Sequence, residues 1–327
     1  MKVRKLAVAL PPDRYSSEEV AQWTGGNVDF LRDKVGVHER RFMRVEQTTS
    51  ELTAEACETL FAANPELTRD RVQLVVLITQ GADQRCPHTS ALLQDMLGLD
   101  SSCAAFDVGL GCSGYTYGLT ITKSFMQAQG LRDALLVTCE PVSKGLRKTD
   151  RDTVSILADA ATVTWMSADE GATLGHGHFG TEGSGAPALC AIAGGTAKPF
   201  VGLFLEEPAP FEDGYMRMNG RAVFNFAMRR VPETVAGCLA ANDLKLDDID
   251  VFAFHQASRF ILDGLVRELK IPEEKMLSNL QTHGNTVCST IPTLIAEGIN
   301  DGRFAGKKVL LCGFGSGLSW GTNVLYA

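Results

Sequence analysis

The run Asp107-Val-Gly-Leu-Gly-Cys112-Ser-Gly-Tyr-Thr-Tyr-Gly118 places a single cysteine among small residues. The stretch Ala104–Val108 leads into it and predicts a strand, and apolar residues at helical spacing follow it from Leu119 onward. At a strand-to-helix turn, backbone N–H groups and the helix dipole favour a thiolate. Because buried cysteines usually serve as small apolar side chains, Cys112 needs partners elsewhere in the chain before it counts as a nucleophile.

The composition excludes several classes of protein. The chain of 327 residues suffices for two domains or one large duplicated unit, and its 45% hydrophobic and 21% charged residues are typical of a globular protein. A net charge of -8 argues against an extended nucleic-acid-binding face. No window approaches the about 20 apolar residues that cross a bilayer. We therefore expect a cytoplasmic protein with no nucleic-acid or membrane partner.

The cysteines and histidines predict neither disulfides nor a metal site. Nine cysteines, an odd number without a C-x-x-C pair, indicate reduced thiols in a cytoplasmic protein. His176 and His178 form an H-x-H pattern beside glycines, but no cysteine or carboxylate cluster accompanies them at ligand spacing. A loop or strand is therefore the favoured interpretation of this pair.

Helix and strand patterns alternate through both halves of the chain. The predicted strands include 72–79, 134–139 and 247–254, and the predicted helices include 48–63, 222–239 and 260–269. The alternation predicts α/β layers with largely parallel sheets. The repeated order of helix, buried strand, polar loop and helix indicates an internal duplication, with halves at 1–170 and 171–327. The Gly-, Ala- and Pro-rich stretch 171–210 is predicted to join the halves through strands and loops.

Two further loops carry polar residues among small ones. Phe254-His255-Gln-Ala257 follows a predicted strand, and His283-Gly-Asn285-Thr286 precedes a predicted helix. In parallel α/β sheets, sites gather at the carboxyl ends of strands, so Cys112 and His255 are expected to face one cleft. A cysteine paired with a histidine is the arrangement for covalent acyl chemistry. Each loop alone has a structural explanation, and it is their combination that indicates catalysis.

Four separated motifs together resemble the β-ketoacyl-acyl-carrier-protein synthase III family, which comprises condensing enzymes of the thiolase fold. The match runs nearly from end to end of the chain. The motifs are 107–118, His255-Gln-Ala257, Gly284-Asn-Thr286 and 313–321, and the stretches 35–41 and 149–151 match as well. The resemblance implies an α/β, thiolase-like fold of duplicated halves in α/β/α/β/α layers. It also implies a homodimer that uses coenzyme A thioesters as substrates and needs no resident cofactor.

The same resemblance implies roles for individual residues. Cys112 accepts an acyl group from an acyl-CoA. His255 and Asn285 donate hydrogen bonds to the thioester oxygen of a malonyl group, carried by CoA or by an acyl carrier protein, and stabilise the enolate that remains when carbon dioxide leaves. The backbone N–H groups of Cys112 and of the turn at Gly315 and Ser316 form an oxyanion hole. Removal of one such donor typically costs about 3 kcal/mol.

Several positions depart from the family's pattern. The stretch Ala158-Asp-Ala-Ala-Thr162 stands where the family has Gly-Asp-Gly-Ala-Gly, and alanine has less backbone freedom than glycine. The run His255-Gln-Ala-Ser-Arg-Phe260 departs from His-Gln-Ala-Asn-Leu-Arg, which leaves recognition of a carrier protein open. The expected CoA-binding residues are Phe30 in place of a tryptophan, Lys34 in place of an arginine, and the retained Arg151.

Cys86 stands where the family commonly has a bulky aromatic residue that closes the acyl pocket from the partner subunit. A smaller residue leaves room for a longer or bulkier acyl group. This departure is compatible with a specialised pathway, such as polyketide synthesis or other secondary metabolism, as well as with fatty acid biosynthesis.

Three alternatives to a decarboxylating condensing enzyme stay open. An acyltransferase of the same fold would pass the acyl group from Cys112 to an alcohol or amine without decarboxylation. The altered carrier-binding run favours this alternative, whereas the presence of both His255 and Asn285 argues against it. An intact Cys112 argues against an idle partner subunit, and no local signature supports a cysteine hydrolase of another fold.

Overall fold

The computed structural model describes residues 1–201, 205 and 207–327. The strands in this part of the chain are β1 Lys2–Ala9, β2 Arg14–Ser16, β3 Glu39–Arg41, β4 Leu74–Ile78, β5 Ala104–Val108, β6 Asp133–Cys139, β7 Ala161–Ser167, β8 Ala172–Leu174, β9 His178–Thr181, β10 Leu189–Cys190, β11 Arg217–Met218, β12 Val251–Phe254, β13 Lys308–Gly315 and β14 Ser319–Tyr326. The α-helices are α1 Ser17–Thr24, α2 Val28–Phe30, α3 Thr49–Ala63, α4 Thr89–Met96, α5 Gly114–Gln129, α6 Arg151–Val154, α7 Gly220–Ala241, α8 Arg259–Leu269, α9 Leu280–His283 and α10 Thr290–Asn300.

A single long sheet carries the architecture. Its strand order is β12-β13-β14-β8-β1-β7-β6-β4-β5, and β9 pairs with β14 beside this path. The short strand β8 pairs with both β1 and β14 and so joins the two sides of the sheet. Two small sheets, β2 with β3 and β10 with β11, lie apart from it.

The two sides of the long sheet repeat one strand order. Numbered along the chain, the first side runs β1, β7, β6, β4, β5, which is the order 1-5-4-2-3. On the second side, β9, β14, β13 and β12 follow the same order, and a parallel bridge between Phe252 and Met276 stands at the place of the missing third strand. This repeat agrees with an internal duplication, whereas the division of the chain at residue 170 stays a prediction.

The expectation of largely parallel sheets is wrong. Among the strands of the described residues, parallel pairing is confined to β4 with β5 and β6, and to β12 with β13. The neighbouring strands β7 and β14 run antiparallel to β6 and β13. Between β13 and β14 the chain turns within residues 316–318, and so short a connection can only join antiparallel strands.

The sheet and its helices form five layers. The two sides of the sheet are two of these layers, and helices lie between them and on both outer faces. Between the two sides lies α5, which packs against β4 and β6 and also against β13 and β14; α10 packs similarly against β1, β7, β12 and β13. The outer face of the first side carries α3 and α4, and that of the second side carries α7 and α8. The α/β/α/β/α layering of a thiolase-like fold is therefore confirmed.

Local sequence explains where several elements begin. Ser16 and Thr48 each form a capping box with a glutamate three residues later, and these boxes start α1 and α3. The predicted helices 48–63, 222–239 and 260–269 match α3, α7 and α8 within two residues. The predicted strand 247–254 is too long at its start. Only β12 is a strand, because residues 246–248 form a single helical turn.

The stretch 171–210 contains β8, β9, β10 and a helical turn at Gly183–Ala188, as predicted for a connection of strands and loops. Residues 202–204 and 206 of this stretch lie outside the described part of the chain. Among the helices of the described residues, none combines the length and the hydropathy that a membrane crossing requires.

Candidate active site

The three predicted catalytic side chains lie at one end of the sheet. Cys112 follows β5 and immediately precedes the N-terminal cap of α5, and His255 is the first residue after β12. Asn285 lies in the loop between α9 and α10. All three line a single cavity of 890 Å³, together with Phe314 and Gly315 at the end of β13. The carboxyl ends of three strands thus bring together residues that are far apart in the chain.

The turn after β13 approaches the sulfur of Cys112 closely. A Cβ atom placed on Gly315 would lie 2.6 Å from Cys112 Sγ, so only glycine leaves room for the thiol. The backbone N–H groups of Ser316 and Cys112 lie close enough to the sulfur to lower the pKa of its thiol. A hydrogen bond of 2.7 Å between the hydroxyls of Ser113 and Ser319 ties the start of α5 to β14. The role of the two backbone groups as an oxyanion hole stays a prediction.

Burial sets the charge of Cys112. Loss of hydration raises the pKa of its thiol to about 12, and nearby Glu140 acts in the same direction. The hydrogen bonds from the Ser316 and Cys112 N–H groups lower the pKa by less than burial raises it. Desolvation of the buried sulfur thus opposes the thiolate that the strand-to-helix turn is expected to favour.

His255 is a buried, neutral imidazole. Desolvation lowers its pKa to about 3, against which a hydrogen bond to the Val287 backbone acts weakly. Its Nδ1 lies 2.7 Å from the hydroxyl of Thr290, at the start of α10. The ring of Phe314 meets the imidazole edge to face, with centroids 5.5 Å apart. These contacts fix the ring and leave Nε2 on the side of Asn285.

The loop before α10 orients the amide of Asn285. Its Oδ1 accepts a hydrogen bond of 2.9 Å from the N–H of Val287. This bond assigns Nδ2 to the other side, where it lies 3.4 Å from both His255 Nε2 and the Ala257 carbonyl. Val287 has a φ of 53°, a conformation that a β-branched residue rarely adopts. Such strain is typical of functional sites and holds this donor in place.

The alanines at 158–162 fit the backbone of the site. The N–H of Ala158 donates to the Asn285 carbonyl at 2.8 Å, and the Asn285 N–H donates to the Ile156 carbonyl at 2.9 Å. Ala158 and Ala160 are fully buried, and neither has the positive φ that would require glycine. The departure from the family's glycine-rich run therefore leaves the support of Asn285 intact.

The residues expected to bind coenzyme A line the same cavity. Phe30, which is 50% exposed, lies there with Lys34 and Arg151. Sequence reasoning missed Arg221, on the first turn of α7, which also lines this cavity. Within the described residues, none of the three cations pairs with a carboxylate, so all are available to a phosphate group. The exposed ring of Phe260 stacks on Phe224 beside them.

Cys86 lies outside this cavity. It is exposed in the loop before α4, and it does not line the second cavity of 700 Å³ that the chain forms near Cys112. The notion that it closes an acyl pocket requires a second subunit and stays a prediction.

The histidine pair outside the site serves the fold. The N–H of His176 donates to the Asn242 side chain, and His178 lies on β9 with its Nδ1 3.1 Å from the Thr234 hydroxyl. No cluster of metal-ligating side chains exists among residues 1–201, 205 and 207–327.

Comparison with known proteins places this geometry in a family. The model of 3-oxoacyl-[acyl-carrier-protein (ACP)] synthase III matches residues 106–183, and that of its C-terminal part matches residues 239–327. A β-ketoacyl-[acyl-carrier-protein] synthase III of Clostridium perfringens is 31% identical over 324 residues, which cover 96% of this chain and 95% of the relative.

Solved structures agree with the sequence relatives. A 3-oxoacyl-(acyl-carrier-protein) synthase III superposes with a TM-score of 0.92 at 33% identity, covering 100% of this chain and 99% of that one. A 3-oxoacyl-(acyl-carrier protein) synthase from Burkholderia xenovorans LB400 superposes with a TM-score of 0.89 at 28% identity, covering 99% of this chain and 93% of that one. The chain therefore belongs to the β-ketoacyl-acyl-carrier-protein synthase III family of thiolase-fold condensing enzymes.

Proposed function

We propose that the chain catalyses a decarboxylative Claisen condensation between an acyl group carried on Cys112 and a malonyl thioester. The observation that carries the proposal is the convergence of Cys112, His255 and Asn285 in one cavity, with the backbone N–H groups of Cys112 and Ser316 beside the sulfur. A nucleophile, an oxyanion hole and a pair of neutral donors are the components that the two half-reactions need.

In the first half-reaction, the sulfur of Cys112 attacks the carbonyl carbon of an acyl-CoA. The oxygen becomes an oxyanion, which the N–H groups of Cys112 and Ser316 receive. The carbon–sulfur bond to coenzyme A then breaks, and the leaving thiol takes up the proton that Cys112 gave up. Because the resting thiol is neutral, its proton must leave as the new bond forms, and we propose that His255, which lines the same cavity, passes it to the departing sulfur of coenzyme A.

In the second half-reaction, the malonyl thioester loses carbon dioxide and becomes an enolate. Asn285 Nδ2 and His255 Nε2–H donate hydrogen bonds to the enolate oxygen, whereas a reversed Asn285 amide would present Oδ1, which cannot donate. The enolate carbon attacks the acyl carbon on Cys112. The carbon–sulfur bond breaks and releases the Cys112 thiolate, which takes up a proton from solvent to restore the thiol, and the product is a β-ketoacyl thioester.

Donation by His255 Nε2 requires a particular tautomer. The Nδ1 atom must then accept a hydrogen bond, and the Thr290 hydroxyl at 2.7 Å is the group beside it. The same hydroxyl lies 3.0 Å from the Val287 carbonyl, to which it donates in the alternative tautomer. Thr290 thus supports both tautomers of His255: one whose Nε2 can accept the proton of Cys112, and one whose Nε2–H donates a hydrogen bond to the enolate oxygen.

The substrates enter at the mouth of the cavity. Lys34, Arg151 and Arg221 supply charge for the phosphates of coenzyme A, and Phe30 offers an exposed ring for its adenine. We propose malonyl-CoA or a malonyl-acyl carrier protein as the second substrate, in keeping with the names of the relatives. We also propose a homodimer, because β5 forms the edge of the sheet and its five residues are only half-buried.

Separate assays of the two half-reactions distinguish condensation from simple acyl transfer. Self-acylation is followed by intact mass after incubation with acyl-CoAs, and decarboxylation by release of labelled carbon dioxide from malonyl thioesters. We predict that Asn285→Ala lowers decarboxylation about 100-fold and self-acylation far less, because only the enolate needs this donor.

A second asparagine of the same cavity supplies the matched control. Asn225→Ala, on the wall formed by α7, should leave the ratio of the two rates unchanged. Equal losses in both assays with Asn285→Ala would instead favour an acyltransferase that never handles an enolate.

A further inference from the structure

A second cavity lies on the other side of the turn that follows β13. It measures 700 Å³ and is lined by Ser316 and Gly317, whereas Gly315 lines the first cavity. Leu189 lines both cavities, and Val142 of the second cavity packs against Cys112 in a small buried cluster. With coenzyme A in the first cavity, the second cavity offers space beside the thioester for the acyl group.

Most polar groups on the wall of this second cavity are occupied by the fold itself. The Thr49 hydroxyl donates to a backbone carbonyl at 2.6 Å. The Asp83 carboxylate accepts from a backbone N–H at the start of α3. The Lys144 ammonium group donates to two backbone carbonyls. These groups need no ligand to satisfy them.

In contrast, Glu140 and Gln80 each have side-chain atoms without a hydrogen-bond partner among the described residues. Glu140 is only 8% exposed, and its Oε2 accepts a hydrogen bond of 2.8 Å from the Gln80 N–H. Its Oε1 has no hydrogen-bond partner among the described residues, yet it is not fully enclosed, so it reaches the cavity that Glu140 lines. The side chain of Gln80, on the same wall, is exposed, and its amide has no partner within that part of the chain, so water satisfies it.

The ionisation of Glu140 defines what it can bind. Burial raises its pKa to about 8, chiefly by desolvation, so the carboxyl group is mostly protonated at neutral pH. A protonated carboxyl group both donates and accepts hydrogen bonds, as does the amide of Gln80. An alkyl chain placed against these groups would displace water and leave them unpaired, which is unfavourable.

We infer that the acyl group accepted by Cys112 carries an uncharged hydrogen-bonding group, such as a hydroxyl, that pairs with Glu140 and Gln80. This inference rests on the proposed function, since it names the class of acyl substrate for the same nucleophile. The sequence predicts an acyl pocket with room for a larger acyl group. The inference adds that this acyl group is polar.

Matched substrates test the inference. Self-acylation of Cys112 is measured with butyryl-CoA, 2-hydroxybutyryl-CoA and 3-hydroxybutyryl-CoA. Each hydroxylated substrate carries one oxygen atom more than butyryl-CoA. We expect one of the hydroxylated substrates to exceed butyryl-CoA in kcat/KM by about tenfold. Equal or better use of butyryl-CoA would overturn the inference and leave the proposed function standing, whereas no acylation by any acyl-CoA would overturn both.

Variants connect the preference to the two side chains. Glu140→Gln retains an acceptor for the Gln80 N–H and a donor for the ligand, so it should keep the preference for the hydroxylated substrate. Gln80→Leu removes only a side-chain amide and should reduce the preference severalfold, as should Glu140→Leu. Gln84→Leu changes an exposed glutamine outside the cavity and should have no effect. An unchanged preference in both leucine variants of the cavity would also overturn the inference.

Discussion

Charge at the active site is decided residue by residue, and burial is the dominant cause. Desolvation raises the pKa of Cys112 to about 12 and lowers that of His255 to about 3. Both groups are therefore neutral across the physiological range, and no resting thiolate–imidazolium pair forms. A neutral histidine suits an enolate-forming reaction, because it can donate to an oxygen and still accept a proton from the thiol.

The pH dependence of alkylation reports the charge of Cys112. Because the raised pKa lies far above neutral, the thiolate fraction should increase about tenfold for each pH unit between pH 6 and 9. Iodoacetamide labelling, localised by tandem mass spectrometry, measures the rate at Cys112, and exposed Cys86 in the same sample serves as the comparison. A plateau at Cys112 below pH 8 would show a thiolate and contradict this account.

At the scale of elements, the site depends on how tightly the start of α5 packs against β4. A Cβ atom on Gly114 would lie 2.3 Å from Ile78 Cγ2, inside the sheet. This close approach positions Cys112, which lies two residues before the helix. The glycines of the run 107–118 are thus not equivalent, since a Cβ on Gly109 would meet nothing within 4 Å.

We predict that Gly114→Ala destabilises the fold by about 1–3 kcal/mol through overpacking against Ile78. Gly109→Ala, in the same run, should change the free energy of unfolding by less than about 0.5 kcal/mol. Urea unfolding of the two variants beside the parent chain measures the difference. Equal free energies of unfolding for the two variants would mean that α5 can move away from Ile78 without loss of stability.

Sequence patterns predicted elements better than their pairing. The capping residues and apolar spacing located α3, α7 and α8, because these signals are local. The antiparallel pairing of β6 with β7 could not be predicted, since strands buried on both faces look alike whichever way they run. The location of Asn285 beside His255 likewise followed from a family resemblance rather than from any local pattern.

Other features of the site arise only on folding. Phe314, Thr290 and Arg221 acquire their places through contacts between elements distant in sequence. The loss of thiolate character at Cys112 has the same origin, because burial is a property of the packed core and not of the run 107–118.

For the molecule as a whole, the repeated strand order places two N-terminal helix ends, those of α5 and α10, in the central layer beside one cavity. Under the proposed function, one side of this repeat would supply the nucleophile Cys112 and the other the donors His255 and Asn285. In the homodimer that we propose, the half-buried edge strand β5 and the exposed loop at Cys86 would face the second copy of the chain.

We predict that Cys86→Phe narrows the range of acyl chain lengths that Cys112 accepts, because a larger side chain would enter the partner's pocket. Self-acylation with acyl-CoAs of increasing length measures the range, and size-exclusion chromatography reports the oligomeric state. Gln84→Phe, at an exposed neighbour in the same loop, should leave the range unaltered. If Cys86→Phe accepts the same acyl chain lengths as the parent chain, residue 86 does not form part of the wall of the acyl pocket.

The most direct test of the central claim is the intact mass of Cys112→Ala after incubation with a panel of acyl-CoAs. We predict a gain of one acyl group in the parent chain and in Cys86→Ala and Cys190→Ala, which lack the more exposed thiols. We predict no gain in Cys112→Ala. Full acylation of Cys112→Ala would contradict the assignment of this cysteine as the nucleophile.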